Sequence, residues 1–192
     1  SGLPVWLLLV AMFRGVPLSA GPFADAGGSA AEPKVAHNDA AIAAWATGWT
    51  DYEVGSGCDA IWQTPNKALG PATDDVMDVV CLGNGGRITM TFDRPIRDGE
   101  GWDFAVFENA MNDTFLELAF VEVSTDGINF VRFDNCSLTP SPVSAFGAVE
   151  PSNLTGFAGK YKVGFGFGFD LATLAEKPEV ISGLVALNNI RY

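Results

Sequence analysis

The stretch FLELAFVEVSTDGINFVRFD, residues 115–134, decides the fold class. Its two halves, residues 115–124 and 128–134, carry the period-two alternation of a strand, and Thr125-Asp126-Gly127 between them is a tight-turn signal. Strands joined this way run antiparallel, with one face on a core and the other in water. The same pattern continues upstream. Residues 87–92 place Ile88, Met90 and Phe92 on one side, and the turn cluster Gly83-Asn84-Gly85-Gly86 ties them to a preceding strand at 78–82. Residues 102–108 are apolar on both faces and read as a central strand covered on both sides.

Working outward, the period weakens. Residues 138–158 are mostly loop, Asp170 caps a short helix at 171–176, and residues 180–184 and 187–192 read as closing strands. Asp39 is placed to cap a short helix at 40–46, while 48–75 carry Gly, Pro, Asn and Asp at the density of ordered loop. The expected architecture is all-β: an antiparallel β-sandwich of jelly-roll, galactose-binding-like kind, with one or two short helices.

Composition bounds the function. The chain has 192 residues, 48% of them hydrophobic and 18% charged, which excludes general disorder. Eleven Lys and Arg against 23 Asp and Glu give a net charge of −12, a field that repels nucleic acid. One histidine, His37, leaves little for His-based catalysis.

The apolar run at residues 5–13, closed by Arg14, falls well short of the roughly 20 residues that span a bilayer. It has the length of a signal-peptide core, with small-residue cleavage sites at Leu18-Ser19-Ala20 and Ala24-Asp25-Ala26. The expected organisation is a signal peptide over 1–26, its basic leader lying before Ser1, then a Gly/Ala/Pro linker over 27–38 and a β-sandwich over 39–192 cut short at its C-terminus. No transmembrane span is expected in the mature chain, and the product is secreted, extracellular or on the cell surface. Of three cysteines, Cys81 in an apolar run reads as a small buried hydrophobe, which leaves Cys58 and Cys136 as the candidate disulfide. Asn112, Asn135 and Asn153 head glycosylation sequons.

Several segments together carry a family resemblance: Lys67-Ala68-Leu69-Gly70, Asp78 through Gly86, Asp103-Phe104-Ala105-Val106-Phe107-Glu108-Asn109, Glu117 through Gly127 with Asn129-Phe130, and Leu154 through Tyr161. In order and spacing the set resembles exported bacterial cell-surface proteins, some with C-terminal sorting tails. The residues Val121 to Phe130 are also similar to the strand–turn–strand of discoidin-like, galactose-binding-type jelly rolls. The resemblance implies a surface module, often steadied by calcium, that binds a glycan or a protein. The Gly-Phe alternation at 164–169 departs from it.

Calcium takes six to eight oxygens, usually from loops on a rigid scaffold. Glu108 and Asn109 at a strand end, Asp113 in the next loop and Glu117 just beyond form the candidate set. On a face shared with Phe115, Ala119, Val121 and Val123, Glu117 is a costly charge unless a metal or an arginine (Arg94, Arg97 or Arg132) balances it; the competing reading is a solvated carboxylate. Asp74, Asp75 and Asp78 are a second acidic group that reads as plain surface. The Phe165/Phe167/Phe169 row is either an exposed platform or core rings with glycines opposite. Trp45, Trp49 and Trp62 seal one end of the sandwich or line a binding face.

No Gly-x-Ser-x-Gly elbow or P-loop occurs. The functional expectation is a non-catalytic module with a glycan or surface-protein ligand. Two alternatives remain: an extracellular carbohydrate-active enzyme using Glu108 and Glu117, and a self-associating structural protein of envelope or matrix.

Overall fold

The computed structural model describes residues 20–144 and 147–192, so the apolar run at 5–13 lies outside the described residues. Among the described residues, nine short strands form one three-stranded and three two-stranded antiparallel sheets, accompanied by a few single-turn helices.

The organising strand is β9 (Phe165–Phe169). Its alternation sends rings one way: Phe167 and Phe169 are 6% and 2% exposed and pack on Tyr161, Phe104 and Phe133. Glycines face the other way and admit close neighbours. A Cβ on Gly168 would lie 3.0 Å from the side chains of both Pro33 and Trp102. Strand β9 is flanked on both edges, by β1 (Lys34–Ala36) and β4 (Phe104–Phe107), with Lys34 opposite Phe167 and Phe104 opposite Phe169. Two expectations change here. The centre of this sheet is β9 rather than the 102–108 segment: β9 is paired along both edges, whereas β4 is paired with β9 alone. The stretch read as a linker supplies β1, and its Glu32 forms an ion pair with the fully buried Lys160.

The Asp-Gly hairpin is present as β5 (Glu122–Ser124) and β6 (Phe130–Arg132). Asp126 accepts the backbone N–H of Ile128 and Asn129, both at 2.8 Å, and Gly127 takes a positive φ of 75°. Upstream of β5 the strand is not continuous. Val121 and Val123 point inward, but Leu116 is buried while Glu117 is exposed, so the alternation slips phase between 116 and 121. Ala119 keeps only an isolated bridge to Ala158.

The 78–82 segment is not a strand, and 48–75 is not all loop. Strand β2 (Gly48–Glu53) pairs with β3 (Arg87–Thr91), while residues 79–81 are bonded to the turn at 62–64. Cys81 N–H donates to the Trp62 carbonyl at 2.9 Å, and the Thr64 hydroxyl to the Val79 carbonyl at 2.8 Å. This fold-back joins Cys58 to Cys81, with Cα atoms 6.0 Å apart. The Cys58–Cys136 pairing is thereby corrected: Cys136 is a free thiol in β7 (Cys136–Ser137), opposite β8 (Leu154–Thr155).

Residues 40–46 form no helix; Asp39 caps only a turn, through the Ala41 N–H. Asp170 does cap a single turn at Leu171–Leu174, through the Ala172 N–H at 2.9 Å. Where strands were expected after it, Pro178 opens α1 (Pro178–Ile181) and a further turn covers Leu187–Asn189. The last residues close the fold all the same. Ile190 bridges Ile96, and Ser124 N–H donates to the Tyr192 carbonyl at 3.0 Å. The main core gathers Val123, Val131, Phe133, Phe169, Leu171, Leu174 and Ile190. A smaller one holds Ala110, Leu116, Val149 and Leu154. Among the described residues, no helix is long and apolar enough to cross a membrane.

Candidate functional site

At the C-terminal end of β9 the glycine row leaves a cleft of about 420 Å³. Pro33 and Trp102 stand over Gly168 on its two sides, Thr155 and Thr173 contribute hydroxyls, and Asp134 and Asp170 contribute carboxylates. The local sequence explains each placement. Trp102 follows the turn at Gly101 and leads into β4, Asp170 ends β9 as a helix cap, and Asp134 ends the β5–β6 hairpin. Asp134 is ion-paired with Lys177, and Asp170 with no cation among the described residues.

Asp170 also belongs to a carboxylate cluster. Oxygens of Asp98, Asp103 and Asp170 lie within 4.8 Å of one another, the one such group of three among the described residues. Asp103 accepts the Gly99 N–H at 2.7 Å and the Leu171 N–H at 2.8 Å, which fixes it between the 98–103 loop and the end of β9. Burial raises its pKa above the usual carboxylate value, and the charges of Asp98 and Asp170 push the same way against those two N–H groups. Asp98 Oδ1 is buried without a hydrogen-bond partner. An oxygen-rich set with an unanswered lone pair and no ion pair has the chemistry of a hard-cation site. No local pattern marks the site, because Asp170 stands far from Asp98 and Asp103 in the chain and only the fold-back of β9 on the 98–103 loop assembles them.

The four residues expected to share an ion are positioned differently from one another. Asn109 donates to the Val76 carbonyl at 2.7 Å. Asp113 faces Lys162 at 3.4 Å, with its other oxygen buried and unpartnered. Glu117 is exposed beside an open groove of about 550 Å³, so the phase slip leaves it in solvent with no buried-charge cost to offset. Glu108 accepts the Ala110 N–H at 2.8 Å, and its pKa is raised to about 7, mainly by burial and then by the Glu117 charge. Glu108 and Glu117 are thus near neighbours, with Asn109 and Asp113 turned to other partners.

Of the aromatic candidates, Phe167 and Phe169 are core rings, and Lys34 sits over Phe165 at 4.4 Å. Trp45 packs on Phe107 with centroids 5.4 Å apart, and Trp49 donates to Asn66 at 2.8 Å, both in structural roles. The alternation at 102–108 places Trp102 only as a strand residue; its position over a glycine, visible once the strands pair, makes it a cleft wall. No family model, curated protein or solved structure matches the chain.

Proposed function

We propose that the protein is an exported or cell-surface binding module without catalytic activity, its small sheets being parts of a jelly-roll sandwich, and that the cleft beside Trp102 takes a saccharide. The observation that carries this reading is the makeup of the cleft: an aromatic ring over a bare glycine floor, ringed by two carboxylates and two threonine hydroxyls. Apolar walls with a few fixed polar groups are the usual build of small-ligand sites, and a flat ring beside hydroxyl acceptors suits a pyranose. The chain's net charge of −12 disfavours acidic sugars and favours neutral or amine-bearing ones. Calcium would be held by Asp98, Asp103 and Asp170, where it would fix the 98–103 loop that carries Trp102.

The test is a binding screen of the purified protein on neutral, amino and acidic oligosaccharides, with Trp102→Ala alongside. Binding to a neutral or amino sugar that falls at least about tenfold in Trp102→Ala supports the reading; no binding across the set, or binding untouched by the substitution, overturns it. For the ion, EDTA should lower the melting temperature of the wild type and leave Asp103→Asn unmoved. Identical melting with and without chelator removes calcium from the account.

A second reading has one specific observation behind it. Glu108, with its pKa near 7, lies beside the exposed Glu117, and two carboxylates in unequal environments are what a glycosidase uses. Release of reducing ends from a polysaccharide, abolished by Glu108→Gln, would favour it.

A further inference from the structure

Two sequence sites compete for removal of the leader, after Ala20 and after Ala26, and Ala24-x-Ala26 fits the small-x-small rule better. The fold favours the other one. We infer that the mature protein begins at Gly21, and that residues 21–26 are a built part of the domain; the inference rests on the exported reading proposed above.

The segment is tied down at successive points. Gly21 N–H donates to the Ser152 hydroxyl at 2.8 Å, and Phe23 N–H donates to the Ser152 carbonyl at 3.0 Å. Ser152 is only 4% exposed, so these are its answers within the protein rather than bonds that water would replace. Its hydroxyl in turn donates to the Glu150 carboxylate at 2.9 Å. Position 21 also accepts no side chain: a Cβ there would stand 2.4 Å from the Ser152 carbonyl oxygen, so the backbone lies in a slot shaped for glycine.

Further along, the Asp25 carbonyl accepts the Gly28 N–H at 3.1 Å, and the Ala26 carbonyl accepts the Lys34 ammonium at 2.7 Å. The first closes the turn that leads into β1, and the second anchors a side chain of β1 itself. Cleavage after Ala26 would remove every one of these bonds and leave the buried Ser152 carbonyl without its Phe23 donor. Cleavage after Ala20 keeps them all. It also turns the Gly21 amide into a free ammonium directly beside Ser152, whose hydroxyl leads to the Glu150 carboxylate, which strengthens the same contact by charge. The ammonium is the product of ordinary peptide hydrolysis: water adds across the Ala20–Gly21 bond, the new carboxylate leaves with the leader, and the amine stays on the domain.

The experiment is to read the N-terminus of the exported protein, by Edman degradation and intact mass, from the host that makes it. A start at Gly21 is the expected result. A start at Gly27 overturns the inference while leaving export intact, and an uncleaved chain retained in the cell overturns the export reading with it. A second measurement does not depend on export. Purified chains beginning at Gly21 and at Gly27 are compared by thermal melting, and the shorter one is expected to melt roughly 5 °C lower. Equal melting temperatures would show that residues 21–26 are dispensable and overturn the inference.

Discussion

Two regions of this chain are held together by different physics. From Ala36 to Asn109 no residue is fully buried, whereas Leu154, Leu171, Leu174 and Ile190 in the remainder have no exposed surface at all. The first region is stitched by polar and covalent links: the Cys58–Cys81 disulfide, the Tyr52 hydroxyl on the Cys81 carbonyl at 2.7 Å, Trp49 on Asn66 and Lys67 on the Met77 carbonyl. The second is held by stacked rings and aliphatic side chains around β9. A loop-rich layer thus needs no core of its own when short bonds fix its backbone to itself. It also puts the cleft at a boundary, since Trp102 comes from the stitched region and Asp134, Thr155 and Thr173 from the packed one.

The largest effect is expected in the packed region, where Phe169→Ala removes a ring that touches Phe104, Phe133 and Phe167 and should cost about 3–5 kcal/mol by denaturant unfolding. A cost below 1 kcal/mol would mean that β9 does not organise a core. Next, Cys58→Ser with Cys81→Ser opens the loop between two cysteines 23 residues apart, for a loss of about 3 kcal/mol. Hydrogen exchange should then quicken over residues 48–92 and stay slow in β5, β6 and β9; equal quickening everywhere would make the two regions one cooperative unit.

The smallest of the three effects sits at the junction. Glu108 has its carboxyl raised to about 7 in the folded protein against 4.5 as the ordinary value. A raised folded pKa gives stability that is complete below 4.5 and lost as pH rises through 7. Glu108→Gln should remove that decline and stabilise the protein at pH 8 by on the order of 2 kcal/mol. Parallel pH profiles for wild type and variant would show that the carboxyl is solvated.

The sequence made the packed region easier to read than the stitched one. Asp126-Gly127 and the valines at 121, 123 and 131 announced their hairpin because turn chemistry and burial agree there. The Phe-Gly alternation at 165–169 put rings on one side and glycines on the other, and left open which side the core takes. Leu116 and Glu117 misled, since strict alternation assumes an unbroken strand and the chain slips phase before Val121. The pairing of β2 with β3 was hidden because half-exposed strands carry little periodic signal, and proximity in sequence favoured residues 78–82 as the partner. Asp98, Asp103 and Asp170 were invisible for a third reason: their meeting depends on which strand lies beside which, not on any local pattern.

The bond between Glu32 and Lys160 has a consequence for the order in which this protein assembles. The partners are 128 residues apart, and Tyr161 reaches back to the Glu32 carbonyl from the same place. A chain that emerges N-terminus first therefore holds β1 without an edge to join until most of the polypeptide is through. Closing so long a loop is slow, and Lys160 cannot enter the interior favourably unless Glu32 comes in with it. The first strand to appear is among the last to settle, and the waiting time is when holding factors or proteases would meet it.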